Sequence, residues 1–262
     1  MLNNKYEILE YINKGNFGNI YKGRYKDTAI VLKESNNIDE LKYEANVYMN
    51  LSIREGIARF YDFFIFNNKG YIVIKFYSKV LTEFKFKNYT SINYFNSIIK
   101  IFIDLFYIIS YLHDCGYIHR DLKPNNICLN EFDFPVLIDF GLSKQYIVDK
   151  KHIEKKNIKN IIGSYAFCSL NVEALIEPSR RDDIESLFYI FIFCLLDKED
   201  EKNIIKIKKN IKLLENIKLL ENINCKDDIH DYIVKIYNYI KKMSFTQKPN
   251  YNYICELFES ML

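Results

Sequence analysis

Hydrophobic and polar residues alternate over short stretches at the start of the chain. Tyr6–Asn13, Asn19–Tyr25 and Thr28–Lys33 are β-prone runs separated by glycine or charged turns. Ile38–Leu51 follows a different rhythm. Its apolar positions at 38, 41, 45, 48 and 51 recur every three or four residues, which predicts a helix. Phe60–Phe66 and Tyr71–Tyr77 return to strand-like patterning. They flank Asn67-Asn68-Lys69-Gly70, which reads as a hairpin turn. The first third is therefore expected to be a small sheet carrying one helix.

After Ser78 the period lengthens. Asn93–Leu112 has a broad apolar face and meets a stop signal at Cys115-Gly116. Short strands are expected at Ile127–Leu129 and Val136–Ile138. Asp183–Leu196 is apolar on nearly every side, as a buried central helix would be. Residues 198–222 are rich in Lys, Ile and Asn and repeat IKLLEN at 211–216 and 217–222. A six-residue period is not a heptad, so a drifting surface helix is expected there rather than a coiled coil. No linker divides the chain. One domain over 1–262 is expected, with a smaller part over about 1–77 and a larger one over about 78–262.

Composition narrows the class. A 262-residue chain can bury a sizeable core, and 49% hydrophobic with 27% charged residues is a globular balance. Lys+Arg 37 against Asp+Glu 34 leaves +3, which gives no electrostatic case for direct nucleic-acid binding. The six cysteines are scattered without a CxxC pair, as reduced thiols of a cytoplasmic or nuclear protein would be. The N-terminus lacks the basic start and apolar core of a signal peptide. Ser186–Leu196 is too short to span a bilayer, and Lys100 and Asp104 interrupt Ile98–Leu112, so no membrane span is expected.

The chemistry concentrates in HRDLKPNN at 119–126 and IDFG at 138–141. A loop with Asp121, Lys123 and Asn126 can aim a carboxylate, a cation and an amide into one cleft, and Asp139 adds a second carboxylate. Phosphoryl transfer from ATP needs such groups. Asp121 would orient the acceptor hydroxyl and take its proton. Lys123 would neutralise γ-phosphate charge. Asn126 and Asp139 would bind Mg²⁺ through oxygen, the hard ligand it prefers. His119 is expected to pack and Arg120 to anchor the loop. Upstream, Gly15 and Gly18 in GNFGNI can bring backbone N–H groups over phosphates, although Asn13 stands where G-x-G-x-x-G has its first glycine. Lys33 ends the strand-like IVLK, and Glu44 follows on the predicted helix. A strand lysine is usually solvated. Paired with a helix carboxylate, it fixes a cation for the α- and β-phosphates.

These motifs resemble the eukaryotic protein kinases over the whole chain, and the casein kinase I family most closely. Ser169-Leu170-Asn171 is similar to that family's S-I-N. Residues 177–186, EPSRRDDIES, resemble its E-Q-S-R-R-D-D-L-E-S, and FTQKPNYNYICELF at 245–258 resembles its final helix region. Vaccinia-related kinases are a near relative. The resemblance implies an α+β, two-lobed protein-kinase-like fold, with a small β-rich N-lobe holding one main helix and a larger, mainly helical C-lobe. It implies ATP between the lobes, with Ile74 as gatekeeper and Lys75, Phe76 and Tyr77 as the hinge. Ile12, Gly15, Phe17, Gly18, Ile20, Val31 and Lys33 would cover the nucleotide, and Cys128 and Ile138 would lie beneath it. Tyr48, His119 and Phe140 would form a packed column anchored by Asp183. Lys123 implies Ser/Thr rather than Tyr acceptors.

The implied protein is a monomer acting on proteins, acidic ones among them, without need of activation-segment phosphorylation. Two departures stand out. Cys128 replaces a leucine, and Ala166 replaces an arginine of G-T-A-R-Y-A-S that reads phosphate. Other readings are a pseudokinase and a small-molecule kinase. The first usually loses Lys33, Asp121 or Asp139, all present here; the second tends to show HGD and to lack a segment like 163–186.

Overall fold

The computed structural model describes residues 2–15, 18–51, 54–88, 92–196, 201–210 and 226–262. Phe17, Cys225 and both IKLLEN repeats lie outside these residues. Strands β1 (Glu7–Gly15), β2 (Gly18–Tyr25), β3 (Thr28–Ser35), β4 (Phe60–Phe66) and β5 (Lys69–Lys75) form an antiparallel sheet in the order β1-β2-β3-β5-β4. Helix α1 spans Ile38–Leu51, as its periodicity predicts. It lays Leu41, Ala45, Tyr48 and Leu51 under the sheet. The opposite face closes over a second, smaller core of Tyr6, Ile30, Leu32 and Val73. Tyr6 is therefore not the start of β1. It is fully buried on the outer face, where its hydroxyl donates to Asp62 at 2.6 Å. The β4–β5 turn is tighter than the four residues expected. Asn67 and Asn68 adopt φ of 49° and 59°, the left-handed pair of a two-residue turn, which asparagine tolerates better than most residues.

Phe76–Ser78 carries the chain to β6 (Lys79–Val80), and α2 (Leu81–Asn88) follows. Helix α3 spans Ile92–Asp114 and ends where Gly116 takes φ 85°. It is long and apolar enough to cross a membrane, but Tyr94, Phe95, Phe102 and Phe106 pack inward. Phe102 lies 5.3 Å from Phe191, and Phe106 the same distance from Phe258, ring centre to ring centre. Strands β7 (Tyr117–Ile118), β8 (Ile127–Leu129), β9 (Pro135–Leu137) and β10 (Lys144–Gln145) are short. β6, β8 and β9 form one sheet, and β7 pairs with β10. β11 (Ile147–Val148) pairs with β12 (Lys151–His152), and a short α4 (Leu170–Glu173) follows.

Helix α5 spans Arg180–Leu195, three residues earlier at its start than the apolar pattern alone suggests. Asp182 causes the early start: its carboxylate accepts the Ser179 backbone N–H at 2.7 Å, half of a capping box. Every residue from Asp182 to Leu195 is buried. Full burial of each large apolar side chain contributes about 1.5–3 kcal/mol. Helices α6 (Glu201–Lys209), α7 (Lys226–Lys242) and α8 (Tyr251–Glu259) complete the larger part. Of the expected surface helix over 198–222, residues 201–210 are described: α6 exposes Glu201, Lys202, Lys206 and Lys209 and lays one face inward. α6 packs on α5 with Ile204, Ile207 and even Lys208 buried. The Lys208 amine donates to the Tyr165 carbonyl at 2.9 Å and pairs with Glu173. That satisfies a charge which composition alone would send to water.

Candidate active site

A cleft of about 480 Å³ separates the sheet from the helical part. Alternation along β3 decides which side chains face it. Val31 and Lys33 point in, while Ile30, Leu32 and Glu34 point out toward Tyr6 and Tyr71. Ile12, Gly15, Ile20 and Val31 line its upper side. Ile74, Lys75 and Tyr77 line its rear, and Cys128 and Ile138 also border it. Burial pushes the Cys128 thiol up to about 12, so it stays protonated and offers a small, polarisable surface. Asn13 lines the cleft beside Gly15. Gly18 serves differently from Gly15. With φ 149°, it lies so close to β3 that a Cβ there would sit 1.7 Å from the Glu34 carbonyl oxygen.

Lys33 is central. Its amine lies 2.7 Å from Glu44 Oε2 on α1 and 2.8 Å from Asp139 Oδ1. Burial would lower its pKa, but the two carboxylates outweigh burial and hold it above the ordinary lysine value. Burial pushes the fully enclosed Glu44 up to about 7 against the pull of Lys33. Asp139 ends lower than usual, because Lys33 and the Gly141 N–H at 3.3 Å overcome its desolvation. Asp139 has φ 64°, and its backbone N–H donates to the Tyr48 hydroxyl at 2.9 Å.

The catalytic-loop candidates converge on Asp121. Lys123 Nζ donates to its Oδ2 at 2.7 Å, and Ser164 Oγ to its Oδ1 at 2.9 Å. Asn126 Nδ2 donates to the Asp121 carbonyl at 2.9 Å. That bond fixes the amide so that its oxygen points the other way, and Asn126 borders the cleft together with Asp139. Two oxygen donors on one cleft suit a hard divalent cation. Gly163, at φ 82°, lets the next segment approach; a Cβ there would sit 2.3 Å from the Arg120 carbonyl.

The column reads Tyr48, Phe140 and His119, with ring centres 4.9 and 5.2 Å apart, and Phe60 stacks on Tyr48 at 6.0 Å. Asp183 anchors its base by accepting the N–H groups of His119 and Arg120 at 2.7 and 2.9 Å. His113 Nε2 adds a third bond to Asp183, at 2.9 Å, while Tyr251 reaches His113 Nδ1 at 2.6 Å. Arg120 anchors the loop through the Leu142 carbonyl at 2.6 Å.

The structure thus gathers Lys33, Glu44, Asp121, Lys123, Asn126 and Asp139 at one cleft. It adds residues that local motifs do not reveal. Ser164 caps Asp121 from 43 residues away, Glu83 of α2 borders the cleft below the hinge, and Phe60 extends the column. Only Glu83 carries a sequence signal, as an acid in the first turn of a helix just past the hinge.

A family model described as "Protein kinase domain" matches residues 6–175. The chain is 28% identical, over 281 aligned positions, to a probable casein kinase I homolog of Encephalitozoon cuniculi (strain GB-M1). That alignment covers 98% of this chain and 84% of the relative. The matched region runs from the outer-face Tyr6 through the glycine hairpin, the Lys33–Glu44 pair and the catalytic loop to the end of α4. With well over half of its length matched, the chain belongs to the protein kinase family.

Proposed function

We propose that the chain is an active serine/threonine protein kinase that moves the γ-phosphate of ATP to a protein hydroxyl. The observation that carries this reading is the assembled charge network. Lys33 bonds to both Glu44 and Asp139, while Asp121 is held by Lys123 and Ser164. In this reading adenine lies between Val31 and Cys128, its edge against the backbone of Lys75–Tyr77. Glu83 accepts from the ribose hydroxyls, and Lys33 grips the α- and β-phosphates. Asn126 and Asp139 would hold Mg²⁺, which would supply charge neutralisation at the phosphates. Asp121 orients the Ser or Thr hydroxyl and accepts its proton as the oxygen bonds to the γ-phosphorus. The bond from that phosphorus to the bridging oxygen breaks, and its electron pair leaves on ADP. Lys123 offsets the charge that builds on the transferring group.

Lys150, Lys151, Lys155, Lys156 and Lys159 are exposed on the segment before Gly163, which favours acidic protein substrates. Acidic proteins such as casein are the natural first assay. Purified protein with γ-labelled ATP and Mg²⁺ should label casein on Ser or Thr, and chelation should stop it. Protein that binds ATP yet labels neither casein nor itself would support the pseudokinase reading instead.

A further inference from the structure

β3 alternates Ile30 and Leu32 into the apolar outer core, so the next residue on that face should also be apolar. It is Glu34, only 7% exposed. A carboxylate is costly there unless donors surround it, and three do. Asn19 Nδ2 of β2 donates at 3.0 Å, Lys69 Nζ of β5 at 2.9 Å and Tyr71 hydroxyl of β5 at 2.7 Å. Asn19, Glu34 and Tyr71 stand directly opposite one another across the three strands. A carboxylate can only accept, so the Asn19 amide must turn its NH₂ toward β3.

Asn19 immediately follows Gly18, whose backbone rests on the carbonyl of the same Glu34. Gly18 in turn pairs with Gly15, which lines the cleft. Glu34 therefore meets the glycine hairpin at two adjacent points, bonding Asn19 through its side chain and lying close against Gly18 through its main chain. The apolar pattern gives no reason for a charge here, and a break in a local rule without a packing gain points to function.

We infer that Glu34 and Asn19 are positioning residues that set the height of the glycine hairpin over the nucleotide phosphates. The inference rests on the ATP-binding reading above. It is specific in one respect: the pair acts on the phosphate end of the cleft and not on the adenine end, which Ile74, Lys75 and Cys128 border.

Calorimetric titration with two probes tests it, a non-hydrolysable ATP analogue with Mg²⁺ and adenosine alone. Asn19→Ala keeps Glu34 with two of its donors. It should weaken the ATP analogue about 5-fold, the scale of one lost hydrogen bond, and leave adenosine unchanged. Glu34→Ala should do the same or more, and Glu34→Gln, which still accepts from Asn19, should recover most of the affinity. Equal weakening of both probes would mean a merely structural role, and unchanged affinity for the analogue in folded Asn19→Ala would also overturn the inference. Wild-type protein that binds both probes but transfers no phosphate would contradict the kinase reading alone, because these titrations need no turnover.

Discussion

Tyr48 shows how much one hydroxyl can do in this site. Its ring belongs to the column between Phe60 and Phe140, while its oxygen accepts the backbone N–H of Asp139. The same Asp139 takes φ 64°, and its carboxylate meets Lys33. Tyr48→Phe would keep the ring and orphan a buried N–H, which costs about 1–3 kcal/mol. Urea unfolding should register that loss, and turnover should fall as Asp139 loosens; a variant matching wild type in both would remove Tyr48 from the account. Position 48 is legible in sequence as an apolar helix position, but its hydroxyl's partner is 91 residues away. Glu34 was harder still. Its meaning depends on the register of three strands, which no single stretch of sequence encodes. Asp121, Lys123, Asn126 and Asp139 are legible because their chemistry is packed into 21 consecutive residues, 119–139, and needs no long-range pairing to be recognised.

Among elements, α1 and the catalytic loop are tied to neighbours that hold them in place. Asn50 of α1 donates to the Tyr117 hydroxyl at 2.9 Å, and Glu44 reaches β3. The loop's Arg120 faces Glu177, a buried carboxylate 3.8 Å from Arg120, 2.7 Å from Lys144 and 4.0 Å from Lys156. Under the kinase reading proposed above, a permanent carboxylate among three cations would take the place that an added phosphate takes elsewhere. Phosphatase treatment should therefore leave activity unchanged, while Glu177→Gln should lower turnover several-fold. Loss of activity on dephosphorylation would contradict this role for Glu177. Elements with a clean period, such as α1, match their expected ends, because burial on one face enforces the pattern. β10, β11 and β12 escape sequence reading because two residues carry no period. Within α6 the burial of Lys208 escapes sequence reading, because Glu173 and Tyr165 satisfy it and sequence cannot assign those partners.

At the scale of the whole molecule, two buried imidazoles make stability depend on pH. Burial lowers both His113 and His119 below the ordinary 6.5, so the native state binds protons less readily than the unfolded chain. Their contribution is complete above pH 6.5 and is lost as pH falls through that value toward the folded ones. Glu44, raised to about 7, acts in the opposite sense between about 7 and its ordinary 4.5. Comparing His113→Gln with wild type cancels Glu44. The stability gap between them should shrink below pH 6.5 by up to about 1.4 kcal/mol per unit; a gap constant from pH 7.5 to 5.5 would remove His113 as the sensor. The same residues tie the catalytic loop to the helical part, since Asp183 joins His113, His119 and Arg120. The central claim is that this framework presents Asp121 to an acceptor hydroxyl for phosphoryl transfer. The most direct measurement compares wild type and Asp121→Asn for Mg·ATP affinity and for labelled phosphate transferred to casein. The account predicts near-equal nucleotide affinity with turnover reduced roughly 10²-fold or more; equal turnover in the two proteins would contradict it.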